Sequence, residues 1–453
     1  MGFSCENRKA YPQRHRLLTL PCSLRTSAAR VRLALIIILA LPSVLGFPII
    51  ADAATRKTLT PRVSLQEQYD DNIYLEADNE DSDWITLVSP GISLALEGPD
   101  TTMNLDYEAG FSFYQDDTDM NSTRHQAQGD WNQRLTPSVM LQASDAFVRS
   151  EEPLVETAGQ IKEIRTERSI YYRNDGQASV SCDFGAEDQV TAGYRNRYLN
   201  DGSSLDEDSQ GHEGFLGLDK WFSSHYGIGM TFSYNRGHFE QTHDFDAYQG
   251  GLTLNYRPRL SRRLYGRYNL LYHDFEPAEA DDYRIHHGAL GLVLTLGYDT
   301  DLNLEGGYFV QDYLNGDQTE GGTFNGGLST RIKSVSLNLG GSSGYDEDYF
   351  SSENLGFYKF RRVSGSVKYL ITDSFYAFGT ASYSWQEFFG TDTHRDRKDE
   401  VWHTSAGLSL SFWQWLTLSL EGTNSKRDSD DPGMDFEDNR GLLRLTVSYP
   451  HSF

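Results

Sequence analysis

The chain has 453 residues, with 40 Lys and Arg against 65 Asp and Glu and a formal net charge of −25. So acidic a surface repels nucleic acid and other polyanions, which removes them from the partners to consider. Hydrophobic residues make up 38%. Beyond residue 50 no apolar run approaches the ~20 residues that a membrane-crossing helix needs, so a helical membrane protein is excluded.

The first 53 residues form one unit. Within residues 1–32, Arg8, Lys9, Arg14, Arg16, Arg25, Arg30 and Arg32 stand against Glu6 alone, an apolar run follows from Leu33 to Ile50, and Ala51-Asp52-Ala53 offers small residues at a signal-peptidase spacing. The expectation is a secretory signal cleaved near Ala53. A retained anchor would need an unbroken run, and Pro42, Gly46 and Pro48 interrupt this one. Residues 54–453 then carry a charge of about −30 and one cysteine, Cys182, so no intramolecular disulfide can form there. Cys22 precedes the apolar run and is no lipid-attachment site.

From about residue 59 a two-residue apolar period takes over. Met103, Leu105, Tyr107, Ala109 and Phe111 alternate with Asn104, Asp106, Glu108 and Gly110; Leu290 to Leu296 and Leu416 to Leu420 repeat the pattern. Each such segment is a strand with one apolar and one polar face. Tight turns fall near Gly98-Pro99-Asp100, Thr136-Pro137, Phe184-Gly185-Ala186, Ser223-Ser224, Arg257-Pro258, Tyr298-Asp299-Thr300, Lys333-Ser334, Thr372-Asp373 and Gln414. Longer acidic loops alternate with them, at 70–83, 115–121, 150–167, 200–209, 239–245, 274–282, 314–319, 346–353, 389–399 and 427–437. Nine turns and ten loops separate about 20 strands (18–20), an even number with both ends on the short-turn side. The expected fold is an all-β, transmembrane, antiparallel up-and-down β-barrel over residues 54–453. It must close, because a sheet edge in lipid strands unpaired N–H and C=O groups at several kcal/mol each. Aromatics near strand ends, among them Trp84, Tyr114, Trp131, Tyr198, Trp221, Tyr226, Tyr256, Tyr298, Tyr313, Tyr369, Trp385, Trp402, Trp413 and Trp415, are expected to form two interfacial girdles.

The first hairpin carries the most specific local sequence: Tyr69-Asp70-Asp71-Asn72-Ile73-Tyr74, an acidic loop, then Asp83-Trp84-Ile85 leading to Pro90-Gly91-Ile92. It resembles the opening of the bacterial beta-barrel porin 2 families, and the strand pattern extends the resemblance to the end of the chain. The resemblance implies an outer-membrane barrel. Because some relatives belong to exopolysaccharide synthesis and export, it also implies a saccharide-related role with export components as partners.

Parity places Asp106, Glu108, Asp130, Glu305 and Glu421 on the inner face together with Arg173, Arg195, Arg197, Arg267, Arg362, Lys368 and Arg444. Opposed charges across a wet bore can orient sugars or select ions; salt bridges that only stiffen the wall account for the same residues. Asp70, Asp71, Glu76, Asp78, Glu80, Asp81 and Asp83 crowd the first loop, but without the glycine and terminal glutamate spacing of an EF-hand they read as a solvated loop. His403 and Ser405 share a strand face, as an activated nucleophile would need. They resemble the H-x-S pair of outer-membrane lipid hydrolases, yet Leu408, Leu410 and Phe412 mark the lipid side and leave the pair facing inward, away from lipid. No catalytic site, cofactor or metal is therefore expected.

The last strand alternates Leu443, Leu445, Val447 and Tyr449 with Leu442, Arg444, Thr446 and Ser448 and ends on Phe453; Tyr449 and Phe453 are the expected assembly signal. Pro450 and His451 depart from the usual pattern of such a strand. The expected setting is the bacterial outer membrane, with its lipids, lipopolysaccharide and the barrel assembly machinery as partners. The expected work is a porin-like or export-associated channel for hydrophilic solutes or saccharide. A non-conducting structural or adhesive barrel with acidic, cation-binding loops is the alternative.

Overall fold

The computed structural model describes residues 55–453 apart from 153, 158–159, 166–167, 204–205, 277–281, 314–315, 317, 390–395 and 432. The expected signal segment lies outside the described residues. In chain order the strands are β1 (Arg56–Asp70), β2 (Asp83–Glu97), β3 (Thr101–Tyr114), β4 (Ser122–Thr136), β5 (Val139–Ser150), β6 (Leu154–Thr157), β7 (Gln160–Ile164), β8 (Tyr171–Asp183), β9 (Gln189–Asp201), β10 (Ser209–Trp221) and β11 (Tyr226–Phe239). They continue as β12 (Asp244–Arg259), β13 (Arg262–Glu276), β14 (Tyr283–Thr295), β15 (Thr300–Tyr313), β16 (Gln318–Ile332), β17 (Val335–Asp348) and β18 (Gly356–Thr372). The last are β19 (Phe375–Phe388), β20 (Arg397–Trp413), β21 (Leu416–Ser429), β22 (Phe436–Ser448) and the two-residue β23 (His451–Ser452). The only helical turn among the described residues is a 3₁₀ turn, Thr118–Met120.

Twenty of these strands, β1–β5 and β8–β22, build one wall in which every strand pairs antiparallel with the next. β22 returns to β1, from Asp70↔Arg440 to Arg62↔Ser448, so the sheet closes on itself. β6 and β7 form a separate hairpin within the loop that joins β5 to β8. The expected number of strands and the expected rhythm of turns and loops are both present. One turn is displaced: β12 runs through Arg257-Pro258 to Arg259 by way of an irregularity after Tyr256, and the tip carries the exposed Leu260 instead.

The pairing registers set the width of the barrel. Followed once around the wall, they return to β1 about 24 residues further along, which for twenty strands gives a tilt of about 40° and a backbone diameter of about 40 Å. Wall side chains cannot fill so wide a bore. Whatever narrows it must come from segments that leave the wall.

Alternation sorts the two faces. Leu105, Tyr107, Leu290, Leu408, Leu420, Leu443, Leu445 and Val447 are exposed on the outside, whereas Gln66, Glu305, His403 and Ser425 are buried on the inside. Trp84, Tyr198, Tyr226, Tyr256, Tyr298, Tyr369, Trp402, Trp413 and Trp415 are exposed near strand ends, and Tyr226–Tyr256 and Trp413–Trp415 stack at 5.2 and 5.1 Å. Three of the expected girdle residues are elsewhere; Trp221 has the inward parity of its strand, with Arg257 over its ring at 4.1 Å. Tyr114 is buried beside Ile73 and Ile85, and Tyr313 packs edge-on against buried Tyr283, because both lie on the inward parity of their strands.

The closing seam continues past Pro450. The Tyr449 amide donates to the Pro61 carbonyl (3.0 Å) and the Phe453 amide to the Lys57 carbonyl (2.9 Å), so β23 extends the register of β22 along β1. A proline offers no N–H, which is why the regular ladder is interrupted there. The side chains of Tyr449 and Phe453 remain exposed on the outer surface.

Candidate channel and its constriction

The inward charges fall into separate wall clusters. Arg62 grips Asp106 through Nη1 (2.5 Å) and Nη2 (2.7 Å) and reaches Glu108 (3.2 Å), which Arg124 also approaches (3.7 Å). Arg195 is paired with Asp175, and Arg197 with Glu213 (3.1 Å). Arg267 is paired with Glu305, which also accepts from the Tyr265 hydroxyl (2.8 Å). Arg362 lies over Phe360 and Lys368 over Tyr376, at 5.4 and 3.9 Å from the ring centres. Arg444 Nε donates to Gln66 Oε1 across the closing seam (2.8 Å). Asp130 stands opposite Asn104 and Ser144, Arg173 opposite Val148 and Leu199, and Glu421 opposite Gly407 and Leu442. These residues therefore do not converge on one site; Arg195, Arg197 and Arg267 are each matched by a neighbouring carboxylate.

What converges is a segment that the strand pattern alone does not disclose. β16 and β17 pair from Ile332↔Val335 only as far as Phe324↔Ser343, although both strands continue. Past Gly344 the end of β17, the connection 349–355 and the start of β18 turn into the bore. The Tyr345 ring packs on Phe309 (4.7 Å) and edge-on to His287 (5.9 Å), and Phe357 joins buried Tyr283, Ile285 and Phe309. Glu347 meets His273 Nε2 (3.0 Å) and accepts from the Tyr283 hydroxyl (2.7 Å), reaching β13 and β14 from the far side of two wall strands. Apolar packing against the inner wall, together with the contacts of Glu347 with His273 and the Tyr283 hydroxyl, holds the hairpin inside.

Its tip extends further. Phe350 packs on Phe239 (5.5 Å), lies under the guanidinium of Arg197 (5.2 Å) and leaves no room for a Cβ at Gly211. The Ser352 carbonyl accepts from the Glu207 amide (2.7 Å), and Asn354 donates to Thr242 (2.6 Å). Three residues beyond Phe350, Glu353 binds Arg397 (2.7 Å) and approaches Arg427 (3.8 Å) on β20 and β21, nearly opposite β10 in the wall. Asp399 completes this group at 3.1 Å from both guanidiniums, and Arg397, Arg427 and Asp399 are each almost fully buried. Two buried cations are thus neutralised by two carboxylates, an arrangement costly to break from either side. The segment crosses the bore near its long-loop end.

A second segment is fixed at the same end. The loop that carries β6 and β7 is tied down by Arg165, paired with Asp201, and by Arg168, which donates to the Ile73 carbonyl (2.9 Å), the Tyr114 hydroxyl and Glu152 (3.1 Å). Tyr114 thereby exchanges its expected place in the girdle for one that holds a loop.

The acidic first loop is stitched down at its ends, while Asp78, Glu80 and Asp81 between them are exposed. Asp83 accepts from the amides of Trp84 (2.6 Å), Gln115 (3.1 Å) and Asp117 (3.0 Å), while Asp71 accepts from the amide and side chain of Asn439 (2.6 and 3.0 Å). Tyr74 donates to Asp117 (2.5 Å), which pushes its hydroxyl up to about 12. Among the described residues no three His, Cys, Asp or Glu side chains are grouped to hold a metal ion. His403 and Ser405 have separate partners: His403 Nδ1 lies 3.0 Å from Ser425 Oγ, and Ser405 Oγ lies 2.8 Å from Thr380 Oγ1. His403 is buried among inward side chains, so the pair is not assembled as nucleophile and base against lipid.

No family model matches the chain and no curated protein matches it, so the resemblance of the first hairpin stands without support from either comparison. Solved structures do match. The siderophore receptor PirA from Pseudomonas aeruginosa aligns with a TM-score of 0.48 and 11% identity over 87% of this chain and 80% of its own. OccK2 (OpdF) from Pseudomonas aeruginosa aligns at 0.42 and 16% over 88% and 98%, and a BenF-like porin from Pseudomonas fluorescens Pf-5 at 0.41 and 13% over 88% and 99%.

Proposed function

We propose that the chain is a non-enzymatic channel of the bacterial outer membrane for small hydrophilic solutes. The observation that carries this reading is a closed twenty-stranded wall, apolar outside and charged inside, whose bore is narrowed by its own hairpin instead of being filled by wall side chains. An apolar outer belt needs lipid, and a bore of this width exceeds the sixteen to eighteen strands that already leave an aqueous path. Polysaccharide export gains no support from the described residues. The buried Glu353–Arg397–Arg427–Asp399 group favours a second reading, in which the crossing segment seals a structural barrel. Planar bilayers separate the two: stepwise conductance is expected from the channel, and silence from well-folded protein would establish the seal.

If it conducts, cations are expected to be preferred at low salt. Arg195, Arg197 and Arg267 each have a carboxylate partner, so the acidic excess of the long loops governs the outer mouth. That field reaches about 8 Å at physiological ionic strength and about 3 Å at 1 M. Reversal potentials in a KCl gradient should show cation preference that fades towards 1 M; anion preference, or none that varies with salt, would assign control to the bore arginines.

Tyr449 and Phe453 are proposed as the signal read during assembly. Deleting Phe453, or replacing it with Asp, should lower the heat-modifiable form in the outer membrane by about tenfold, since the closing strand serves both recognition and closure. Wild-type levels of folded protein after either change would remove that role.

A further inference from the structure

Between the folded-in hairpin and the inner wall of β9–β13 lies a cavity of about 320 Å³. Its charge is unbalanced. Glu213, Asp346 and Glu347 line it against one guanidinium, that of Arg197, which is already paired with Glu213 (3.1 Å). Glu347 is engaged by His273 and the Tyr283 hydroxyl. Among the described residues Asp346 accepts from uncharged donors, the Glu347 amide (3.0 Å) and the Tyr358 hydroxyl (3.3 Å), while the Arg362 guanidinium acts on it through space.

The unmet atoms of the lining point the same way. Asn235 Oδ1 and His273 Nδ1 are buried without a hydrogen-bond partner, and His273 is only 2% exposed. With Nε2–H donating to Glu347, the Nδ1 of a neutral ring carries a lone pair, so both orphan atoms are acceptors. Buried acceptors left unpaired cost about 1–3 kcal/mol each, and a ligand that donates hydrogen bonds removes that cost. The rings of Tyr345, Tyr349 and Phe350 line the same space and offer π faces, which attract cations. An anion would meet three carboxylates, and a neutral polyol would leave the surplus charge uncompensated.

We propose that this cavity is a binding subsite for organic primary ammonium ions, with the ammonium group seated on Asn235 and His273, its charge balanced by the surplus carboxylates, and an apolar or aromatic body against the tyrosine and phenylalanine rings. The proposal deepens the channel reading by naming a solute class, and it rests on that reading for the route to the site.

The test uses phenethylammonium chloride on the full-length barrel, by single-channel block in planar bilayers and by calorimetric titration of the same refolded protein. Resolved block by phenethylammonium is expected, with 2-phenylethanol and phenylacetate inert at equal concentration. Asn235→Ala should raise the half-blocking concentration at least tenfold. Asp346→Asn, which keeps the side-chain shape, should raise it several-fold. Equal block by the alcohol or the carboxylate, or unaltered block in both variants, overturns the subsite. Conductance without block and without calorimetric binding defeats the subsite and keeps the channel. Binding that is lost in Asn235→Ala, in a barrel that never conducts, keeps the subsite and defeats the channel; a barrel that neither conducts nor binds loses both.

Discussion

Removing Ser351–Asn354 and rejoining the hairpin with two glycines is expected to raise single-channel conductance about threefold or more, because this segment links β10–β12 to β20–β21 across the bore. A milder route to the same state is Glu353→Ala. It leaves Arg397 and Arg427 buried with Asp399 as their remaining carboxylate in the group. Breaking a buried pair from one side costs about 3–5 kcal/mol, an amount the hairpin can shed by leaving its seat. Both variants should therefore conduct more than the parent, with Glu353→Ala showing added open-channel noise. The experiment also decides between channel and scaffold. A parent that is silent and a deletion that conducts would identify the hairpin as a seal, whereas equal conductance in all three would place the narrowest point elsewhere.

Leu292→Arg is expected to be far more destabilising than Thr295→Arg, although the two residues are three apart on one strand. Leu292 stands between Leu264 and Leu304, both exposed on the outer face. An arginine at mid-depth on a lipid-facing surface costs about 2–4 kcal/mol. Thr295 has the opposite parity and donates to Asp301 (2.8 Å) near the short-turn end, where an arginine can pair with that same carboxylate in water. Urea titrations of refolding into lipid vesicles measure both. Equal losses would mean that the belt does not pass through Leu292.

Most of the architecture was legible because a closed barrel in lipid leaves a strand few options. The backbone must pair, one face must be apolar, and connections must alternate in length, so counting runs and turns leads to twenty strands and to their order. Even β4, whose outward row of Thr123, His125, Ala127, Gly129 and Trp131 alternates weakly, is a full wall strand, because β3 and β5 pair with it along both sides. Partners that depend on closure were beyond reach. Arg444 finds Gln66 only once β22 has met β1 in one particular register. The constriction was hidden for a related reason. Val335, Leu337, Leu339, Gly341 and Ser343 form an outward row, and Tyr345, Glu347 and Tyr349 continue it in sequence while packing on the inner wall in space. Parity is preserved there and the environment is exchanged. A glutamate at a position that would otherwise meet lipid, four residues after the last paired serine, was the available signal.

The departure of that hairpin leaves the wall with a weakest stave. β15 and β16 are joined from Thr300↔Thr330 to Asp312↔Gln318, and β17 and β18 from Val335↔Tyr369 to Asp348↔Gly356, but between them β16 and β17 are joined only from Ile332↔Val335 to Phe324↔Ser343. Residues 318–323 of β16 thus have a ladder partner on one side only. Under a mechanical load applied around its circumference, the barrel should tear from the long-loop end of this seam downwards, as a cask splits along its shortest joint. Pulling with one handle in the turn 296–299 and the other in the turn 373–374 would find the lowest rupture force there.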